Sequence, residues 1–71
     1  MPTVYTKHNC HGCAATTRYL NENGIAFIEK NVDTDERARE KVMALGFKQM
    51  PVVVTDTDSW FGFDPGKLAQ I

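Results

Sequence analysis

The chain has 71 residues, 42% of them hydrophobic and 24% charged, with a formal net charge of -1. That length holds one small domain, and the apolar content is too high and the charge too balanced for a disordered chain. A near-neutral sequence without a clustered Lys/Arg excess is a poor match for nucleic acid, and no apolar run approaches the roughly 20 residues that span a bilayer.

Thr3–Thr6, β-branched and aromatic, reads as a first strand. The polar Lys7-His8-Asn9 turns the chain into Cys10-His11-Gly12-Cys13. A helix is expected from Cys13 to Asn23, with Cys13, Ala14, Thr17 and Leu20 along one face and Gly24 as its C′ residue. Ile25 to Val32 reads as a second strand. Asp33-Thr34-Asp35-Glu36 then opens a second helix, with Asp33 as N-cap, Glu36 at the capping-box offset, Ala38, Val42 and Leu45 as its apolar stripe, and Gly46 as its stop. Met50-Pro51 precedes Val52–Thr55, which suits a buried strand, and Asp56-Thr57-Asp58 turns the chain into a hairpin partner over Ser59–Phe63. Asp64 and Pro65 fit the N-cap and N1 positions of a last short helix that buries Leu68 and Ile71.

The order βαβαββα makes residues 1–71 a single α/β domain with a four-stranded mixed sheet flanked by three helices. A right-handed crossover makes the first two strands parallel, and the last two form an antiparallel hairpin.

The chain has two cysteines, with only His11 and Gly12 between them. A disulfide closing so short a loop removes little unfolded-state entropy, roughly 2 kcal/mol before strain, so chemistry explains the pair better than stapling does. At a helix start, the first cysteine meets outward-pointing N–H groups and the positive dipole end, which favour thiolate over thiol. The second lies one turn in, shielded but within reach of the first sulfur. Cys10 therefore attacks and Cys13 resolves, the arrangement of dithiol–disulfide exchange. A CxxC between a strand and a helix of a βαβ unit is a strong redox signal. A c-type haem site would need His where Ala14 stands. Zinc would have to crowd His8, Cys10, His11 and Cys13 around one ion within six residues. A cluster-binding module using one cysteine per chain and inert buried cysteines stand as further alternatives.

A protonated His11 beside Cys10 would stabilise the thiolate and make the protein more oxidising, with Lys7 adding to the effect. The alternative for His11 is an exposed polar residue without a role. Gln49-Met50-Pro51-Val52 is the second signature. With a cis Met50–Pro51 bond, the Met50 N–H and C=O face the sulfurs and can pair with an extended substrate segment. Of Trp60 and Phe61, adjacent on a strand, one is expected in the core and the other at the surface, where an aromatic near the cysteines could dock a partner.

With CxxC after the first strand and Pro51 before the third, the sequence resembles the thioredoxin superfamily in its short glutaredoxin-like form. Within that group it is similar to the NrdH-type redoxins, on Val4-Tyr5-Thr6-Lys7, Cys10-x-x-Cys13, Arg37–Gly46, Gln49–Val54 and Trp60-x-Gly62-Phe63-x-Pro65. The resemblance implies a monomeric protein that reduces the disulfide of class Ib ribonucleotide reductase. It also implies reduction by NADPH through thioredoxin reductase, and no bound cofactor beyond the Cys10–Cys13 disulfide. Gln49, Met50, Pro51, Trp60, Phe61, Gly62 and Asp64 would face substrate or partner. Two positions depart from the family's Trp-Ser-Gly-Phe-Arg-Pro pattern: Phe61 replaces the serine and Asp64 the arginine. Asp64 and Lys7 also match positions that glutaredoxins use for glutathione, which keeps a glutathione-dependent activity as the rival reading, although the Thr-Val-Pro and Gly-Gly signatures of glutathione users are absent. The N-terminal residues show neither a signal-peptide nor a transit-peptide pattern, so a reducing cytoplasm is the expected compartment, and the reduced protein is expected to stay folded.

Overall fold

The computed structural model describes all 71 residues. The elements run β1 (Thr3–Thr6), α1 (His11–Glu22), β2 (Ile28–Asn31), α2 (Glu36–Ala44), β3 (Val52–Val54), β4 (Ser59–Phe61) and α3 (Pro65–Leu68). The sheet order is β2-β1-β3-β4. β1 pairs with β2 in parallel, and both β1–β3 and β3–β4 are antiparallel. This is the mixed four-stranded sheet with three helices that the sequence predicts.

Strand alternation divides the core into two clusters, one on each face of the sheet. Val4 stands opposite Val53, which stands opposite Trp60. Leu20 of α1 and Leu68 of α3 complete that cluster. One residue along, Tyr5 stands opposite Val52, and with Val32, Ala38 and Val42 they form the second cluster, under α2. Burial pushes the Tyr5 phenol above its ordinary pKa, and the carboxylate of Asp35 adds to the shift.

The helix ends explain where the elements stop. Gly24 has φ +66, its N–H donates to Asn21 O, and Ile25 N–H donates to Leu20 O at 2.9 Å. Gly46 has φ +91, its N–H donates to Met43 O, and Phe47 N–H donates to Val42 O at 3.0 Å. Both α1 and α2 thus end in the Schellman pattern, which needs a left-handed residue that only glycine adopts without strain. In each case the next residue folds back onto the helix's buried face: Ile25 packs with Leu20, and Phe47 with Val42.

This accounts for two corrections. β2 begins at Ile28, not Ile25, because Ile25 belongs to the closure of α1. Leu45 is not part of the buried stripe; it is the C-cap of α2, 42% exposed, and Phe47 fills the core beyond it. Ile71 is likewise exposed at 42%, since α3 ends at Leu68. On α1 the inward residue is Thr16, fully buried, whereas Ala14 faces out.

The cap of α2 also differs from the expectation. Asp35, not Asp33, is the N-cap, its carboxylate accepting from Ala38 N–H at 3.1 Å. Glu36 is therefore the first helical residue and no capping box forms. Asp33 instead accepts from the His8 N–H at 2.9 Å and ties the turn after β1 to the start of α2. Asp35→Ala is expected to lower stability by about 1 kcal/mol, read as a lower urea midpoint at unchanged slope. Asp33→Ala, which loses only an exposed bond, should lower it by less.

Candidate active site

The site forms where β1 hands over to α1. Asn9 takes φ 55, a left-handed conformation that asparagine tolerates better than most residues. It turns the chain so that Cys10, with φ -124 and ψ 104, becomes the N-cap of α1. The helix therefore starts at His11, two residues before the expected start, and Cys13 lies within its first turn. The Cys10 sulfur takes the place of the usual capping oxygen and accepts from Cys13 N–H at 3.1 Å. No acidic side chain lies in that first turn, so the Cys10 sulfur meets a positive helix end that no carboxylate of the turn offsets.

Cys10 and Cys13 are joined in a disulfide. Cys13 is 4% exposed and Cys10 only half-buried. That difference matches an attacking sulfur at the surface and a resolving sulfur beneath it. His11, the first residue of α1, and Lys7, three residues before Cys10, are both exposed.

The second signature meets the first in space. The Met50–Pro51 peptide is cis, and the Met50 carbonyl oxygen lies 3.6 Å from Cys10 Sγ. The Met50 N–H has no partner within the protein, and its carbonyl meets only that sulfur. An unpaired main-chain N–H and C=O, at the mouth of a sheet and against a disulfide, is a template for one residue of an extended chain. Pro51 is buried, and its carbonyl accepts from Gly62 N–H at 2.8 Å, so the loop after β4 borders the same site. Gln49 is exposed and Met50 half-buried.

Two contributors were not singled out from sequence. Gly12, between the cysteines, faces Pro51 so closely that an added Cβ would lie 3.1 Å from Pro51 Cδ. The amide nitrogen of Phe63 lies 4.0 Å from the same point. Any larger residue here would require the Pro51 ring to give by a few tenths of an ångström. The small residue of the CxxC was the available signal. Gly12→Ala should therefore destabilise the protein by about 1 kcal/mol, a crowding penalty that exceeds the helical gain of alanine over glycine. A raised thermal midpoint in the variant would show that the Pro51 ring yields.

Trp60 is in the core, with its Nε1 buried and unpartnered, and Lys67 lies 5.5 Å from its ring centroid. Phe61, on the opposite side of β4, is 50% exposed. One aromatic is inside and one outside, as strand alternation predicts. Asp64 caps α3, its Oδ1 accepting from Lys67 N–H at 3.1 Å. The Lys67 ammonium pairs with Asp58 at 2.8 Å, and this contact lowers the Asp58 pKa and raises that of Lys67.

No three His, Cys, Asp or Glu side chains are grouped to hold a metal ion, and no helix is long and apolar enough to cross a membrane. A cavity of about 350 Å³ lies at the far end of the sheet among residues such as Pro2, Asp58, Trp60 and Lys67.

The glutaredoxin family model matches residues 3–60. The glutaredoxin-like protein NrdH of Lactococcus lactis subsp. cremoris is 41% identical over 71 residues, covering 100% of this chain and 99% of the relative. The chain belongs to the NrdH-type glutaredoxin-like redoxins. The solved structure of Escherichia coli NrdH-redoxin, a glutaredoxin-like protein with a thioredoxin-like activity profile, superposes with a TM-score of 0.93 at 38% identity, covering 99% of this chain and 92% of that one. The thioredoxin-like protein BC3987 superposes with a TM-score of 0.91 at 31% identity, covering 99% and 97%. Where the NrdH-type pattern carries serine and arginine, this redoxin places an exposed phenylalanine, Phe61, and a helix cap, Asp64.

Proposed function

We propose that the redoxin reduces protein disulfides in the cytoplasm, class Ib ribonucleotide reductase first among them, and is itself reduced by NADPH through thioredoxin reductase. The observation that carries the reading is the Cys10 sulfur, at the N-cap of α1 and 3.6 Å from a Met50 carbonyl left open for a docking chain. The NrdH name of its relatives supports the link to ribonucleotide reductase, and the thioredoxin-like profile of the Escherichia coli redoxin supports the choice of reductase.

In the dithiol form, the Cys10 thiolate attacks one sulfur of the target disulfide. A mixed disulfide forms and the other target sulfur leaves as a thiolate. Cys13 then loses its proton and attacks Cys10 Sγ, closing the Cys10–Cys13 disulfide and releasing the second target thiolate. Two electrons pass to the target, and the reductase returns them by the same steps in reverse. The exposed Lys7 and His11 flank Cys10 in sequence, and Met50 with Pro51 aligns the incoming chain. Gln49, Phe61 and Gly62 form the rim, and the protein acts as a monomer with no bound cofactor.

NADPH oxidation with a protein disulfide substrate tests this, with either thioredoxin reductase or glutathione plus glutathione reductase supplied. Turnover is expected with thioredoxin reductase. Turnover only with glutathione would overturn the proposal and turn attention to Lys7 and Asp64.

A further inference from the structure

Thr16 is fully buried, yet its hydroxyl donates to the Gly12 carbonyl at 2.8 Å. In an α-helix that carbonyl already receives the N–H of the residue four along, so the hydroxyl adds a second donor. The Gly12 carbonyl and the Cys13 N–H belong to one peptide group, and that N–H donates to Cys10 Sγ at 3.1 Å. Hydrogen bonds in series polarise one another. A donor at the oxygen end of a peptide makes its N–H a stronger donor.

We propose that Thr16 is a positioning residue for the redox chemistry, its hydroxyl strengthening, through the Gly12–Cys13 peptide, the hydrogen bond that the Cys10 sulfur accepts. The proposal rests on Cys10 being the attacking thiol. Stabilising the thiolate stabilises the dithiol form, so Thr16 raises the reduction potential. The neighbouring Thr17 is a built-in control. Its hydroxyl donates to the Cys13 carbonyl at 3.1 Å and to the Ala14 carbonyl at 3.2 Å. The peptide that begins at the Cys13 carbonyl carries the Ala14 N–H, which donates to the Cys10 carbonyl and not to its sulfur. The charged or titratable groups that flank Cys10 in sequence, Lys7, His8 and His11, are all exposed and are the same in every variant below. From β3, the Met50 carbonyl faces the sulfur.

The test is the pH dependence of Cys10 alkylation by iodoacetamide in the reduced protein, with the modified cysteine located by mass spectrometry. Thr16→Val is expected to move the midpoint upward and leave two- to threefold less thiolate at a pH below it, a modest share of one charge-assisted hydrogen bond. The reduction potential should fall correspondingly, by about 10–15 mV for a two-electron couple. Thr16→Ser should keep the wild-type midpoint, and Thr17→Val should leave it unchanged. An unmoved midpoint in Thr16→Val overturns the proposal, as does an equal shift in Thr16→Ser or Thr17→Val. If Thr16→Val does not fold, the difference between Thr16→Ala and Thr16→Ser isolates the hydroxyl. Wild-type alkylation at Cys13 before Cys10 would instead refute the assignment of Cys10 as the attacking thiol, an outcome visible before any variant is made.

Discussion

Cys10→Ser is expected to reduce disulfide turnover to background, whereas Cys13→Ser should capture a target protein and fail to let it go. The asymmetry follows from position. Cys10 is half-buried at the N-cap, where the Cys13 N–H and an uncompensated helix dipole meet its sulfur. Cys13, at 4% exposure, reaches little but Cys10 itself. In Cys13→Ser the first exchange proceeds and the second has no nucleophile, so a mixed disulfide with the target accumulates and is visible as a mass adduct that dithiothreitol removes. An adduct on the Cys10→Ser protein and none on the Cys13→Ser protein would reverse the two roles.

The largest effect on stability is expected from Leu20→Ala. Leu20 is fully buried, joins α1 to Val4, Val53, Trp60 and Leu68, and receives Ile25 from the closure of its own helix. Truncating such a leucine costs about 2–5 kcal/mol, out of a total that for natural domains is about 5–15 kcal/mol. At the lower end of that range, the thermal midpoint of so small a domain falls by about 8–16 °C. Met43→Ala, on the exposed side of α2 at 61%, should stay within about 0.5 kcal/mol of wild type. The measurement is thermal unfolding by circular dichroism in both redox states. Similar losses in the oxidised and the reduced protein are expected, because the cluster contains neither cysteine.

The order of elements and the pair Cys10 and Cys13 were legible because each rests on a local signal. β-Branched and aromatic residues mark Thr3–Thr6, glycine marks the ends of α1 and α2, and the cysteine pair marks the neighbourhood of the α1 start, though the helix begins at His11 and not at Cys13. What was not legible depended on choices between neighbours. Asp33 and Asp35 are equally good caps on paper, and the His8 N–H, a long-range partner, takes Asp33. Ile25 and Phe27 have strand character, yet the Schellman closure claims Ile25. Leu45 has the right spacing for the buried face of α2, but the helix ends at it and Phe47 fills the place. At the site, the contact of Gly12 with Pro51 joins residues that are far apart in sequence, and no periodicity within the chain announces it.

β3 reads Val52-Val53-Val54, three identical side chains. A strand slipped by one residue normally exchanges its inner and outer faces and exposes the error as misplaced polar groups. Here a slip would put valine where valine was at two of the three positions and bring in Pro51 or Thr55 only at an end, so the strand contains little record of its own alignment. That information resides in its neighbours: the unlike pair Val4 and Tyr5 on one side and the unlike pair Trp60 and Phe61 on the other. Met50, separated from this strand by Pro51 alone, stands 3.6 Å from Cys10 in the observed alignment. The distance between the docking carbonyl and the reactive sulfur is therefore written in β1 and β4, and substitutions there that leave the cysteines and Pro51 untouched can still misplace the site.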